Sequence, residues 1–180
     1  MMLRQQGLFS SGEIDQIEAG IITIPDGAAG TREVLKLMRK LVRMGKLDPA
    51  MMLKAQEIVR HIPGKAWMAE IRAIFNWVRS NITYRLDTND VEVIALASIV
   101  IAKGQGDCDD MCIVLATLLE SIGHPCAFRA VGFDRPGDFT HVVCMTRPMD
   151  SQRWLSLDAT EPEPMGWFPP GVTTSMTVPI

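Results

Sequence analysis

Residues 106–123 read GDCDDMCIVLATLLESIG, and the reading of this stretch decides the fold. Met111, Val114, Leu115, Leu118, Leu119 and Ile122 recur at i, i+3, i+4, i+7, i+8 and i+11. That is the spacing of one helical face, and its apolarity predicts a strongly buried helix. Gly123 supplies the stop, since glycine readily takes the left-handed turn that ends a helix. At the other end Asp107 stands where an N-cap belongs, with Asp110 three residues on as in a capping-box variant. Cys108 is then the first helical residue. A helix N-terminus lowers a thiol pKa from about 8.5 through its dipole and its N–H groups. Three neighbouring aspartates oppose that effect. Either the thiol is inert and the aspartates only cap the helix, or positive charge arrives from elsewhere in the chain.

Upstream, the pattern is helical. Val34, Leu35, Met38, Leu41 and Val42 share a face after Thr31, and Gly45 can end that helix. Asp48-Pro49 is a cap followed by proline at the first helical position, and Met52, Ala55, Ile58 and Val59 are its expected inward residues. Pro63-Gly64 breaks it. A third helix is expected over about 66–79, with Trp67, Ile71, Ile74, Phe75 and Val78 as its stripe. Trp77 and Tyr84 read as core residues. Residues 1–30 are irregular apart from GIITIP (20–25), a candidate edge strand.

Downstream, the period changes to two. CAFRAVGF (126–133), FTHVVCMT (139–146) and RWLSLDAT (153–160) read as strands. From Glu161 the chain is proline-rich and is expected to wrap the surface or to be partly mobile. Helices first and an antiparallel sheet after them indicate an α+β fold. The expected organisation is an N-terminal helical extension (1–60) packed on a core domain (61–180), forming one globular unit.

Composition bounds the partners. The 180 residues carry a formal net charge of -3, so there is no basic footprint for nucleic acid. The longest charge-free apolar run, VIALASIVIA (93–102), is shorter than the roughly 18 residues a membrane helix needs. The N-terminus lacks the apolar core of a secretory signal, so a cytoplasmic setting is the expectation. Four cysteines, at 108, 112, 126 and 144, are too few and uneven for a disulfide framework. His124 and His141 lie near Cys126 and Cys144, but no C-x-x-C pair exists, and a zinc site is not expected.

A nucleophilic cysteine needs a base, and the base an orienting group. His61 and His124 flank helix ends and read as surface or turn residues, whereas His141 lies within an alternating strand. With a two-residue loop at Met149-Asp150, His141 would stand opposite Asp158. A carboxylate there could fix the imidazole tautomer and stabilise its cation. His141 as a packed strand residue and Asp158 as a turn cap remain open on this reading.

Taken together, GDCDDMCIVLATLLESIGHPCAFRAV (106–131), THVVCM (140–145) and WLSLDAT (154–160) resemble the transglutaminase-like superfamily of papain-type cysteine enzymes, including the bacterial transglutaminase-like cysteine proteases. AIFNWVRSNITYRLD (73–87) resembles the segment that leads into the family core. The likeness covers about residues 66–160. The helical pattern of residues 1–60 resembles transglutaminase-like proteins encoded among phage and prophage genes.

The resemblance implies a Cys108, His141 and Asp158 triad, with a thioester acyl-enzyme and no metal or other cofactor. It implies a bacterial, phage-associated enzyme acting on a peptide or protein, a peptidoglycan stem peptide among the candidates. The Cys108 backbone N–H is an expected oxyanion donor, and Gln105 is a second candidate. Gly106 is expected to allow close backbone approach, Asp107, Asp109 and Asp110 to build the helix start, and Trp154 to pack beside the site. Hydrolysis of peptide, amide or isopeptide bonds is the leading expectation. Transglutaminase-type cross-linking and a non-catalytic virion assembly module are the alternatives.

Overall fold

Helix α5 (Cys108–Ser121) is buried at every residue from Asp109 to Leu119. The stripe read from the sequence covers only one side. Cys112, Ile113, Ala116 and Thr117 fill the others, and a helix apolar all round belongs inside. The computed structural model describes residues 6–7, 22–86 and 94–180. Within it four helices and the sheet all touch α5: α1 (Gly27–Gly45), α2 (Pro49–Val59), α3 (Trp67–Asn81), α4 (Ala97–Lys103), and strands β5 (Cys126–Gly132) and β6 (His141–Thr146).

Helix α1 begins at Gly27, four residues before Thr31, and buries the predicted Val34, Leu35, Met38, Leu41 and Val42. Gly45 brings its end close to α5, since a Cβ there would stand 3.0 Å from Thr117 Cγ2. In α2 the Asp48 carboxylate accepts from Ala50 N at 2.9 Å, as the cap reading required. The inward face of α2 differs from expectation. Met51 is 6% exposed and Met52 37%. The face turned to α5 follows i, i+4 from Met51 to Ala55, and Met52 lies about 100° round from it. The buried core runs from Val34 through Val178 without a break at residue 60.

The main sheet has the order β7-β6-β5-β8, with β7 at Leu155–Leu157 and β8 at Thr174–Pro179. All three pairings are antiparallel. Strand β8 corrects the expectation for the C-terminal segment, which does not only wrap the surface. After Gly171 the sequence VTTSMTV regains β-branched residues, and Val178 enters the core opposite Phe128. Residues 161–173 do cross the surface. Gly166 N donates to Ser156 O at 2.9 Å, Arg79 donates to Glu163 O at 3.0 Å, and Phe168 lies under the Arg129 guanidinium.

Two small pairings complete the description. β1 (Gln6–Gly7) and β2 (Ile22–Thr23) are antiparallel, so part of GIITIP is a strand, while Gly20 and Ile21 lie outside the described residues. β3 (Thr83–Tyr84) runs parallel to β4 (Gln105–Gly106), laying the segment after α3 against the residues that precede Cys108. Asp87 of the YRLD stretch and Val93 of the apolar run lie outside the described residues. No helix among the described residues is long and apolar enough to cross a membrane.

Candidate active site

The start of α5 is built as a rigid platform. Asp107 Oδ1 accepts from the backbone N–H groups of Asp109 and Asp110 at 3.0 and 3.1 Å. Asp110 Oδ1 accepts from Ala95 N at 3.2 Å, tying the helix start to the segment that enters α4. Gly106 is required by close approach: a Cβ there would stand 2.6 Å from Asp110 Cβ and 2.8 Å from its Oδ2. The three aspartates are therefore buried structural acceptors. Cys108 is half-buried, and its thiol donates toward Asp109 Oδ1 at 3.6 Å.

The topology decides what Cys108 meets. α5 ends at Ser121, and the chain turns through His124 into Cys126, which pairs with Thr146 at the end of β6. α5 therefore runs beside β6 in the same sense. Fourteen residues of helix and six of strand span similar lengths, about 20 Å each. The α5 N-terminus accordingly lies at the His141 end of β6. Cys112 Sγ, one turn inside the helix, donates to Val142 O at 3.5 Å. One turn back from Cys112 is Cys108, and one residue back from Val142 is His141.

At that end of the sheet, His141 Nε2 and Asp158 Oδ2 are 2.8 Å apart. They do not stand squarely opposite. Cys144 pairs with Leu157 and Thr146 with Leu155, a register two residues from the one expected. The cause is the connection, which spans residues 147–154 and not two residues at Met149-Asp150. Arg147 Nη1 to Ser151 O and Ser151 N to Pro148 O hold it. A shift by two keeps every side chain on its face, so the carboxylate still reaches the ring along the diagonal.

The chemistry of the pair follows from the acceptor. Burial alone pushes the Asp158 carboxyl up, but the hydrogen bonds from His141 and Thr160 outweigh it, and the carboxyl sits below its usual value. An ionised carboxylate only accepts, so His141 Nε2 carries the proton. Nδ1 is then the basic atom of the neutral ring. Thr160, to which the sequence pattern alone gives no role, donates its hydroxyl to Asp158 Oδ1 at 2.7 Å and its N–H at 3.2 Å.

One expected site residue falls elsewhere. Trp154 lies half-exposed beneath Arg147, in the connection at the opposite end of β6 from His141. It does not pack beside the pair, because four residues of extended chain, about 13 Å, separate it from Asp158. A cavity of about 500 Å³, lined by Trp67, Met68, Pro148 and Arg153, opens at that far end and includes none of Cys108, His141 and Asp158. Gln105 is exposed, and its side-chain oxygen accepts from Arg85 at 3.2 Å. Tyr84, expected in the core, is 44% exposed beside Gly106. Partial burial, then Cys108, Asp107, Glu161 and Asp109, raise its phenol pKa, so it borders the site.

His124 also departs from expectation. It is 1% exposed, pairs with Glu70 at 2.9 Å and meets the edge of Trp67. The two histidines near cysteines thus bind carboxylates on separate elements. Among the described residues, no group of three or more His, Cys, Asp or Glu is placed to hold a metal ion. None of the four cysteines forms a disulfide. Burial pushes the Cys112 and Cys126 thiols well above the usual range. Cys144 is also raised, since the lowering contact from Cys126 is outweighed by burial and nearby charge.

A model of the transglutaminase-like superfamily matches residues 54–159, more than half of the chain. The chain belongs to the transglutaminase-like superfamily. The matched span holds Cys108, His141 and Asp158. Among solved structures, this transglutaminase-like chain is similar to a candidate protease from Parabacteroides distasonis, with TM-score 0.53 and 13% identity over 77% of this chain and 28% of that one. It is also similar to LapG of Legionella pneumophila, with TM-score 0.50 and 16% identity over 75% of this chain and 80% of that one. At such identities the likeness is one of fold. The chain spans little more than a quarter of the Parabacteroides protein. No curated protein matches the sequence.

Proposed function

We propose that this transglutaminase-like protein is a thiol-dependent hydrolase of peptide, amide or isopeptide bonds. Cys108 is the nucleophile, His141 the general base and acid, and Asp158 the group that orients His141. The reading rests on one observation above all. The 2.8 Å contact between His141 and Asp158 stands at the end of β6 that lies beside the α5 N-terminus. It leaves Nδ1, not Nε2, to serve the thiol. The protease description of the Parabacteroides relative supports the same reaction class.

In the proposed cycle, His141 Nδ1 takes the Cys108 proton and the thiolate attacks the substrate carbonyl carbon. The oxyanion that forms is held by the Cys108 backbone N–H at the helix start. Collapse expels the amine, which takes its proton from His141, and leaves a thioester on Cys108. Water, deprotonated by His141, then attacks the thioester and releases a carboxylic acid. An amine in place of water gives transamidation from the same intermediate. Four thiols without disulfides suit a reducing compartment.

The test is mass spectrometry after incubation with a broad peptide library and with glutamine–amine pairs. Cleavage that disappears in Cys108→Ala supports hydrolysis. Ligated products in place of cleavage shift the assignment to acyl transfer. Neither product, with Cys108 still open to alkylation, leaves a non-catalytic module.

A further inference from the structure

The Asp158 carboxylate is 4% exposed, so both of its oxygens need protein partners. Oδ2 meets His141 Nε2, while Oδ1 takes the Thr160 hydroxyl at 2.7 Å and the Thr160 N–H at 3.2 Å. The terminal torsion of an aspartate is broad and two-fold, so the side chain itself does not select this rotation. The ladder does not select it either. The last β6–β7 pair is Cys144 with Leu157, and Asp158 lies just beyond it. What remains is the short hydroxyl contact, two residues along the same chain.

We propose that Thr160 is a positioning residue of the site, its hydroxyl fixing the Asp158 carboxylate in the rotation that presents Oδ2 to His141. This rests on the triad reading and deepens it. The backbone N–H bond is a local turn contact that any residue but proline can make at that position. The hydroxyl bond is specific to threonine or serine. A hydroxyl donating to an ionised carboxylate is also among the stronger hydrogen bonds, and it favours the charged form. Among the contacts described, His141 on β6 binds Asp158, and the Asp158 charge also acts on the Cys112 thiol of α5. Neither can replace the lost donor: His141 already binds Oδ2, and Cys112 donates to Val142 O.

The experiment compares the full chain with Thr160→Val and Thr160→Ser. Valine keeps the size and the backbone N–H and removes only the hydroxyl; serine restores it. Carboxyl carbon NMR follows Asp158 directly, and iodoacetamide labelling across pH follows Cys108. In Thr160→Val the Asp158 titration and the acid limb of labelling are both expected to move up by about 0.5–1 pH unit. Thr160→Ser returns both to the parent position, and melting at neutral pH is lowered in Thr160→Val and restored in Thr160→Ser. An Asp158 titration unchanged in Thr160→Val overturns the proposal, whatever Cys108 does. A shifted Asp158 titration in a protein whose Cys108 shows no selective labelling leaves Thr160 as the positioner of Asp158 and sinks the triad reading instead.

Discussion

Cys112 donates its thiol to the Val142 carbonyl at 3.5 Å where α5 packs against β6. It marks where along the strand the helix begins. One turn back and one residue back from it stand Cys108 and His141, each at the first residue of its element.

Alkylation should be selective. Cys108 is half-buried, whereas Cys112, Cys126 and Cys144 are buried with thiol pKa values above the usual range. Iodoacetamide at mildly acidic pH is expected to label Cys108 first in the native protein, and His141→Ala to slow that labelling by about tenfold or more. Peptide mapping reads the result. Equal, slow labelling of all four thiols counts against an activated nucleophile.

Asp158→Asn should alter stability on the acid side. The Asp158 carboxyl sits below its ordinary value, so it contributes stability that is fully present above about pH 4 and lost as pH falls through the folded value. At pH 7 the variant is expected to be less stable by about 1–3 kcal/mol. The gap between variant and parent should close as pH falls toward 2. Urea melts across pH 2–7 measure it, and a gap independent of pH refutes the assignment.

The buried thiols should act at the other end of the scale. Their folded values are raised, so their stabilising contribution is present below the unfolded value of about 8.5 and lost as pH rises through the folded value. Between those two values each thiol is expected to remove about 1.4 kcal/mol of stability per pH unit. Cys144→Ala should lessen the slope by about one thiol's share, whatever it does to absolute stability. Denaturation between pH 8 and 10, under reductant, reads the slopes.

Gly106→Ala should disturb both the helix start and the thiol. The added methyl meets Asp110, whose carboxylate holds Ala95 N. A loss of about 1–3 kcal/mol is expected from overpacking. Asp107→Ala, which removes the cap and no space, should cost about 1 kcal/mol. Chemical melts compare the two, and Cys108 labelling should slow more in Gly106→Ala.

Much of this was legible in the sequence because local patterns carried it. The apolar spacing after Met111 and the carboxylate at Asp107 located α5 and its cap, and alternation located β5 and β6. The His141–Asp158 contact was foreseen from a register that proved wrong by two, and only because an even shift preserves the faces. What escaped depends on tertiary partners. His124 reads as a turn residue in the sequence because its partner Glu70, which pairs with it where it is buried, is 54 residues away. α4 lay hidden in an apolar run too uniform to show a period. Prolines before Gly171 masked the final strand, and no spacing rule places Tyr84 at the rim of the site.

The proposed nucleophile and base are carried by different layers of the molecule, Cys108 by the helices and His141 with Asp158 by the sheet. Their alignment is therefore a gauge of how the layers are seated on each other. A displacement of about 1 Å is enough to cost a catalytic geometry roughly a hundredfold in rate, while leaving both layers folded. A substitution along the seam, at Cys112 or Val142, can silence the thiol without altering the secondary structure. Reactivity at Cys108 is the more sensitive probe of this interface, and should fade before circular dichroism records any change.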